Sequence, residues 1–188
     1  MRPQKGKKKL FDAAMKLFES QGYFATTVEQ ITVEAGVSKG LVYNYFKSKE
    51  ELLAGLIVET TDKMESVAET LAHNASIEES LFLFIDNFLN YLKAEKRFLK
   101  LQLTLMLMPE LKEVVNKPQR QRAQLLLKML NDWFKQANIA EPENKARLFL
   151  AMLDGVALHY LSTFDRYPLA SMRPQLIQAA NDLCRKAN

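Results

Sequence analysis

The residues with the most suggestive chemistry lie close together in the segment Ser38–Asn44. Lys39 can bind a phosphate or the edge of a guanine, and the Tyr43 hydroxyl can donate to a phosphate while its ring packs against a sugar or a thymine methyl group. Gly40 has no side chain, so the backbone there can approach the floor of a groove, and Asn44 can bond to adenine or to a phosphate. This combination is suited to binding nucleic acid.

Further candidates flank this segment. Thr27 and Ser38 stand at the predicted N-termini of two helices, where hydroxyls and free N–H groups can bind phosphate. Lys49 opens the next predicted helix and can hold the DNA backbone from outside. Tyr45 belongs, like Tyr43, to the aromatic and basic cluster that ends the two-helix pattern, and it also supplies an apolar contact. The predicted DNA-binding set is Thr27, Ser38, Lys39, Gly40, Tyr43, Asn44, Tyr45 and Lys49.

Two short helices joined by a glycine-containing turn must position these residues. Thr27 is the predicted N-cap of the second helix, Gly36 supplies the turn, and Ser38 caps a third helix that runs to about Phe46. The crossing of the two helices needs small or apolar residues, and the sequence supplies Ile31, Ala35, Val37, Val42 and Tyr45. The stretch Thr26–Leu53 therefore predicts a helix-turn-helix that places one helix in the major groove of DNA.

Positive charge is concentrated in the same part of the chain. The formal net charge is +4, and residues 1–50 hold nine Lys and Arg against five acidic residues, whereas the remainder holds seventeen of each sign. The whole excess therefore lies with the two-helix pattern, which indicates a polyanionic partner for the N-terminal part only. The basic arm Arg2–Lys9 is equally consistent with a minor-groove contact and with a solvated, disordered tail.

The remaining sequence predicts further helices. A first helix is expected over about Lys7–Gln21, and the pairs Ser48/Glu51 and Ser76/Glu79 form capping boxes that open a fourth and a fifth helix. Leucines alternate with period two over residues 98–108, as in a strand, but helix formers dominate there and no second strand is available for pairing. The chain is therefore predicted to be all-α.

Three prolines are expected in the first turns of later helices, and the chain is expected to divide near residue 47. Pro118, Pro142 and Pro174 each precede an apolar helical pattern, and proline is favoured at the first position of a helix. Residues 1–47 are predicted to form a three-helix DNA-binding domain. Residues 48–188 are predicted to form a larger helical domain.

The N-terminal motifs resemble those of a known family. LFESQGYFATT, ATTVEQI, AGVSKGLVYNYF and KSKEELL are similar to the DNA-binding domain of the TetR family of bacterial transcriptional regulators, over roughly residues 8–55. Thr32 departs from the pattern, because the family usually has a small alanine there. The resemblance implies a homodimer whose recognition helices lie about 34–36 Å apart on a palindromic double-stranded DNA operator. It also implies a small-molecule effector bound in the C-terminal domain, with the fourth helix as the connecting lever and repression as the leading expectation.

Dimerisation is also expected from the penultimate helix itself. Apolar residues surround residues 144–164 almost completely, so more than one face must be buried. A partner helix across a two-fold axis can cover the second face, Gly155 allows a close approach, and the last helix completes a four-helix interface. The predicted dimer face is Leu153, Val156, Tyr160, Leu176, Ala180 and Leu183.

The effector prediction depends on large apolar residues of the C-terminal part. The candidates are Phe84, Phe88, Met106, Met129, Trp133, Met152 and His159. For any one of these residues, packing in the core is a more common explanation than contact with a ligand. Asp154 and His159 can anchor a polar group of a ligand, or equally form a hydrogen bond at an interface.

Several other kinds of function find no support in the sequence. Cys184 is the only cysteine and there are two histidines, of which His73 is expected to be exposed near a helix end, so no disulfide framework or His/Cys metal site is predicted. No catalytic spacing or cofactor motif stands out, and no apolar run approaches the ~18 residues that span a bilayer. A cytoplasmic protein that is not an enzyme is expected. The alternatives are a helical carrier or enzyme with an incidental basic end, and a nucleoid-type DNA binder without an effector.

Overall fold

The computed structural model describes residues 3–59 and 76–185, and every regular element in these two ranges is helical. The helices are α1 (Pro3–Gln21), α2 (Val28–Ala35), α3 (Lys39–Tyr45), α4 (described over residues 49–59), α5 (Ile77–Ala94), α6 (Lys96–Met106), α7 (Lys112–Gln136), α8 (Pro142–Leu158) and α9 (Leu169–Cys184). A 3-10 turn at Pro109–Leu111 precedes α7, and a π-helical turn at His159–Thr163 follows α8. The predicted all-α fold is confirmed.

The described chain forms two compact units. The first contains α1 to α4 together with residues 100–118, and the second contains α5, the remainder of α7, α8 and α9. Helix α6 is shared, since its last seven residues belong to the first unit. Four of the five alternating leucines of residues 98–108 lie on α6 as predicted, because helix-forming side chains outweigh the period-two pattern, whereas Leu107 lies just beyond the end of the helix at Met106.

In the first unit, apolar residues spaced four apart bury one side of α1. Leu10, Ala14 and Phe18 are fully buried, and they pack with α2 and α3. Gly22 ends the helix with a φ of +87°, a conformation that glycine adopts without a steric penalty. The helix begins at Pro3, about one turn before the expected start.

In the second unit, α5 packs mainly on α9, and α8 also contacts α9. The capping box predicted at the start of α5 is present, because Ser76 Oγ accepts from the Glu79 N–H and the Glu79 carboxylate accepts from the Ser76 N–H. The predicted fourth helix runs towards His73, which lies outside the described residues. Cys184 is buried, and desolvation raises the pKa of its thiol to about 11.

Two of the three proline predictions are wrong. Pro142 occupies the first turn of α8 as expected, but Pro118 and Pro174 lie inside α7 and α9. Both helices begin earlier, and a buried apolar residue of the same helix precedes each proline: Val115 in α7 and Leu169 in α9. Burial of these side chains outweighs the preference of proline for the first turn.

Two findings bear on membrane and metal chemistry. None of the helices within residues 3–59 and 76–185 is both long and apolar enough to cross a bilayer. Within the same ranges, His, Cys, Asp and Glu side chains form no group of three or more that could hold a metal ion.

Candidate nucleic-acid interface

The turn between α2 and α3 has the geometry that the sequence indicates. Gly36 adopts a left-handed conformation with φ +61° and ψ 41°, its N–H donates to the Val33 carbonyl, and the next N–H, of Val37, donates to the Thr32 carbonyl. This arrangement closes the C-terminus of α2 with a residue that carries no Cβ strain. The turn therefore fixes the direction in which α3 leaves α2.

Side-chain caps fix the start of each short helix. Thr27 Oγ1 accepts from the Gln30 N–H at 3.2 Å, and Gln30 Oε1 accepts from the Thr27 N–H at 2.8 Å, which is a complete capping box. Ser38 Oγ accepts from the Leu41 N–H at 3.3 Å at the start of α3. The two predicted N-caps are therefore confirmed, while their contact with DNA stays a prediction.

Thr32, the departure from the family pattern, is accommodated without an unpaired hydroxyl. Its side chain is buried at the helix crossing, and its Oγ1 donates to the Glu29 carbonyl one turn earlier at 2.6 Å. A buried hydroxyl with no partner is costly, so this bond explains why a threonine fits here.

Helix α3 has one buried side and one exposed side. Val42 is buried and anchors the helix, and Phe46, which ends it, is buried against Phe11 with the ring centroids 5.5 Å apart. The exposed residues are Ser38, Lys39, Gly40, Tyr43 and Asn44, all of which belong to the predicted DNA-binding set. Tyr45 is half-buried, which fits its apolar contact more directly than an outward one.

Lys39 is held by two neighbours on this exposed surface. Its ammonium forms an ion pair with the Glu29 carboxylate of α2 and lies 5.9 Å from the centre of the Tyr43 ring. The hydrogen bond to Glu29 and the negative charge of Glu29 raise the pKa of Lys39. The same hydrogen bond and the positive charge of Lys39 lower the pKa of Glu29. Glu29 was not a sequence-based candidate, because no local spacing rule links residues ten apart on two helices.

Lys49 is placed differently from the outward clamp that the sequence indicates. Its Nζ donates to the carbonyls of Thr26 at 2.7 Å and Tyr23 at 2.8 Å, and lies 4.3 Å from the centre of the Tyr23 ring. Partial burial lowers the pKa of its ammonium, while nearby Glu50 opposes the shift. Lys49 thus holds the loop between α1 and α2, and Tyr23 and Glu50 are partners that sequence reasoning missed.

Six of the seven predicted effector residues belong to the second unit, and Met106 belongs to the first. Phe84 and Trp133 meet edge to face with their centroids 6.3 Å apart, and Phe149 lies 6.1 Å from Phe84, so these rings form an aromatic cluster inside the second unit. Phe88 is buried, and Met129 and Met152 are half-buried, in the same unit. His159 is exposed beside the rings of Phe164 and Tyr167.

Most of the predicted dimer face is already covered within the single chain. Leu153, Val156, Leu176 and Ala180 are buried, whereas Tyr160 and Leu183 are half-buried. The exposed large apolar residues of α8 are instead Leu148, 54% exposed, and Leu158, 48% exposed. Asp154 lies on an exposed part of α8, but surrounding protein atoms desolvate its carboxyl and raise its pKa, opposed by the charge of Arg122.

Relatives agree on the N-terminal region. The family model for bacterial regulatory proteins of the tetR family matches residues 10–56. An HTH-type transcriptional regulator of Bacillus subtilis, YerO, is 34% identical over 112 residues, covering 57% of this chain and 38% of the relative. The fatty acid metabolism regulator protein of the same organism is 32% identical over 87 residues, 46% of this chain and 45% of that protein. The matched segments thus span less than half of both relatives.

Solved structures extend the likeness to nearly the whole chain. A transcriptional regulator of the TerR/AcrR family from Aquifex aeolicus matches with a TM-score of 0.74 and 27% identity, covering 95% of this chain and 99% of that one. The regulator FadR from Bacillus subtilis, solved with stearoyl-CoA, matches with a TM-score of 0.75 and 23% identity over 92% of this chain and 96% of its own, which shows the shared fold. These relatives are regulators and not enzymes. Residues 10–56 therefore carry the helix-turn-helix DNA-binding domain of the TetR family of bacterial transcriptional regulators, and nearly the whole chain shares the fold of solved regulators of this kind.

Proposed function

We propose that this protein is a ligand-responsive transcriptional repressor of the cytoplasm, which binds a palindromic operator as a homodimer and releases it when a small apolar effector binds. The observation that carries the proposal is the exposed side of α3, where Lys39, Tyr43 and Asn44 surround the bare backbone of Gly40. These residues offer a cation, a phenol and an amide to a major groove, and the Gly36 turn and Ser38 cap hold the helix that carries them.

We further propose that the division of labour falls near residue 47, with DNA binding before it and effector binding and dimerisation after it. The second unit supplies an apolar interior that contains the Phe84–Trp133 pair, with the half-buried Met129 and Met152 as adaptable neighbours. Dimerisation through α8 and α9 is supported by Leu148 and Leu158, which expose large apolar side chains on α8.

The proposed effector is a molecule with a long apolar chain. The curated relative named as a fatty acid metabolism regulator and the related structure that contains stearoyl-CoA support this class. The aromatic cluster around Phe84 is compatible with an acyl chain, because aliphatic carbon packs well against aromatic rings. Arg122 and Asp154 belong to the same unit and are candidates for contact with a polar head group.

The decisive experiment begins with selection of bound sites from random DNA by the full chain. The expected result is an enriched palindrome, bound with a salt-sensitive preference over random DNA and released by a long-chain acyl thioester. Lys39→Ala and Tyr43→Ala are expected to weaken operator binding about tenfold or more with unchanged circular dichroism, because each removes a contact to base or phosphate. Lys128→Ala, which removes the same charge from an exposed position on α7, serves as the control.

Two outcomes would refute this function. One is equal affinity for the selected sequence and for random DNA at every salt concentration, which would leave only a general polyanion binder. The other is a loss of operator affinity for Lys128→Ala as large as that for Lys39→Ala, since net charge and not the α3 surface would then govern binding.

A further inference from the structure

Glu29 and Lys39 form a contact between α2 and α3 that the sequence gives no reason to expect. Glu29 lies in the first turn of α2, and Lys39 is the first residue of α3. Their side chains form an ion pair in which both partners are more than half exposed. The lysine proposed to read DNA is therefore already neutralised in the free protein.

The pair also limits where the Lys39 ammonium can lie. Glu29 holds it from the side of α2, and the Tyr43 ring lies 5.9 Å away on the side of α3. A lysine side chain has four rotatable bonds and, when unpaired, can follow any nearby phosphate. Held in this way, its ammonium lies beside the exposed side of α3, and a phosphate that binds it must take the place of the carboxylate.

We propose that Glu29 is a specificity-determining residue, which suppresses the binding of Lys39 to the backbone of random DNA and thereby raises the preference for the operator. This inference depends on the proposed role of α3 in DNA binding. A random site offers mainly phosphates, whose attraction for a lysine comes from its charge and the release of counterions. Glu29 cancels that charge and repels phosphate, so random DNA loses an attraction that operator contacts can replace.

The expected signature is an unequal effect on two kinds of DNA. Glu29→Gln is expected to raise affinity for random DNA several-fold and affinity for the operator less, so that the ratio of the two falls. The freed lysine adds about one phosphate contact, which steepens the slope of log affinity against log salt by about 0.9 for random DNA. The gain in affinity for random DNA that Glu29→Gln shows over the unmodified protein is then expected to shrink about threefold to fourfold between 50 and 200 mM salt.

The chain offers a matched control on the same helix. Glu34→Gln removes the same charge from α2, but Glu34 pairs with Lys16 of α1 at 2.5 Å and not with the recognition helix. Glu34→Gln is expected to change affinity for random DNA and for the operator alike. Equal effects of the two substitutions would overturn the role of Glu29, because net charge alone would explain both.

A second comparison separates an effect through Lys39 from a structural effect on α2. When Glu29→Gln is added to Lys39→Ala, it is expected to alter DNA binding no more than Glu34→Gln does, since no lysine remains to be freed. A drop in specificity that persists in this double variant would overturn the inference. If the unmodified protein shows no operator preference, the proposed function fails. If it does show one, and Glu29→Gln leaves the ratio unchanged, only the role of Glu29 fails.

Discussion

Lys49→Met is expected to lower the free energy of unfolding by about 2 kcal/mol, because the ammonium holds the loop that leads into α2. Its Nζ donates to the carbonyls of Thr26 and Tyr23 at 2.7 and 2.8 Å and faces the Tyr23 ring. Methionine keeps a similar length and apolar stem but removes the charge and all three donors. The substitution therefore isolates the polar function of this side chain.

The size of this loss in unfolding free energy follows from two short hydrogen bonds, one cation–π contact and an opposing desolvation effect. A hydrogen bond that involves a charged group contributes about 1.5–3 kcal/mol, and a cation–π contact at an exposed site about 0.5–1 kcal/mol. Lys49 is only half-buried, so water can replace part of both interactions when the ammonium is removed. Desolvation, which lowers the pKa of Lys49, also subtracts from the gross gain. About 2 kcal/mol remains, equivalent to about 4–8 °C in Tm for a chain of this size.

Urea denaturation followed by circular dichroism measures this loss, and Lys47→Met is the control. Lys47 is exposed two residues earlier, so its replacement makes the same chemical change outside the carbonyl cluster. A Lys49→Met protein as stable as the Lys47→Met protein would refute the proposed role in holding the loop. If that protein also bound operator less tightly, with a salt slope reduced by about 0.9, Lys49 would be a phosphate contact as its position in the sequence indicates.

Two further substitutions test other parts of the structure. Gly40→Ala is expected to raise the free energy of unfolding by up to ~1 kcal/mol, because an added Cβ meets open space and alanine favours the helix. The same substitution is expected to weaken operator binding in a gel-shift assay, because the added methyl group holds the backbone away from the groove. Asp86→Asn is expected to lower the urea midpoint slightly at pH 7, because Arg173 donates to both carboxylate oxygens at 2.6 and 2.8 Å and lowers the pKa of Asp86 below its ordinary 3.8. That stabilisation is present above about pH 3.8 and disappears as the pH falls through the lowered pKa, so the two proteins should converge in acid, and a difference that persisted there would contradict the ion pair.

Local chemistry explains why so much of the helix-turn-helix could be predicted. The caps at Thr27 and Ser38 and the turn at Gly36 each depend on residues within about four positions, and each has the predicted role in the structure. Rules of this kind need no knowledge of the tertiary fold. The prolines show the limit, since Pro118 and Pro174 have the right local setting for a first turn. Both helices nevertheless begin earlier, with buried Val115 in α7 and buried Leu169 in α9 ahead of the prolines.

Candidate residues that depend on tertiary packing cannot be checked by local rules, and the effector and dimer residues stay predictions. Residue type alone groups Met106 with Met129, and the structure places them in different compact units. Helical position assigns Leu153 and Ala180 to a dimer face, and both side chains are buried within the single chain. An apolar stripe on a helix indicates that this face is buried, but it does not indicate what buries it. Intramolecular packing and dimerisation therefore produce the same sequence pattern.

The two lysines of the site show how environment separates residues that composition treats alike. The sequence predicts that both Lys39 and Lys49 bind DNA, because each is basic and close to the recognition helix. Lys39 is paired at an exposed position, where an ion pair is weakly held and water or phosphate can replace its partner. Lys49 donates to two carbonyls at short range and faces an aromatic ring, so moving it to a phosphate would leave those acceptors unpaired. We therefore expect a basic residue to contact DNA only if its present partners can be exchanged at small cost, and of these two lysines Lys39 meets that condition.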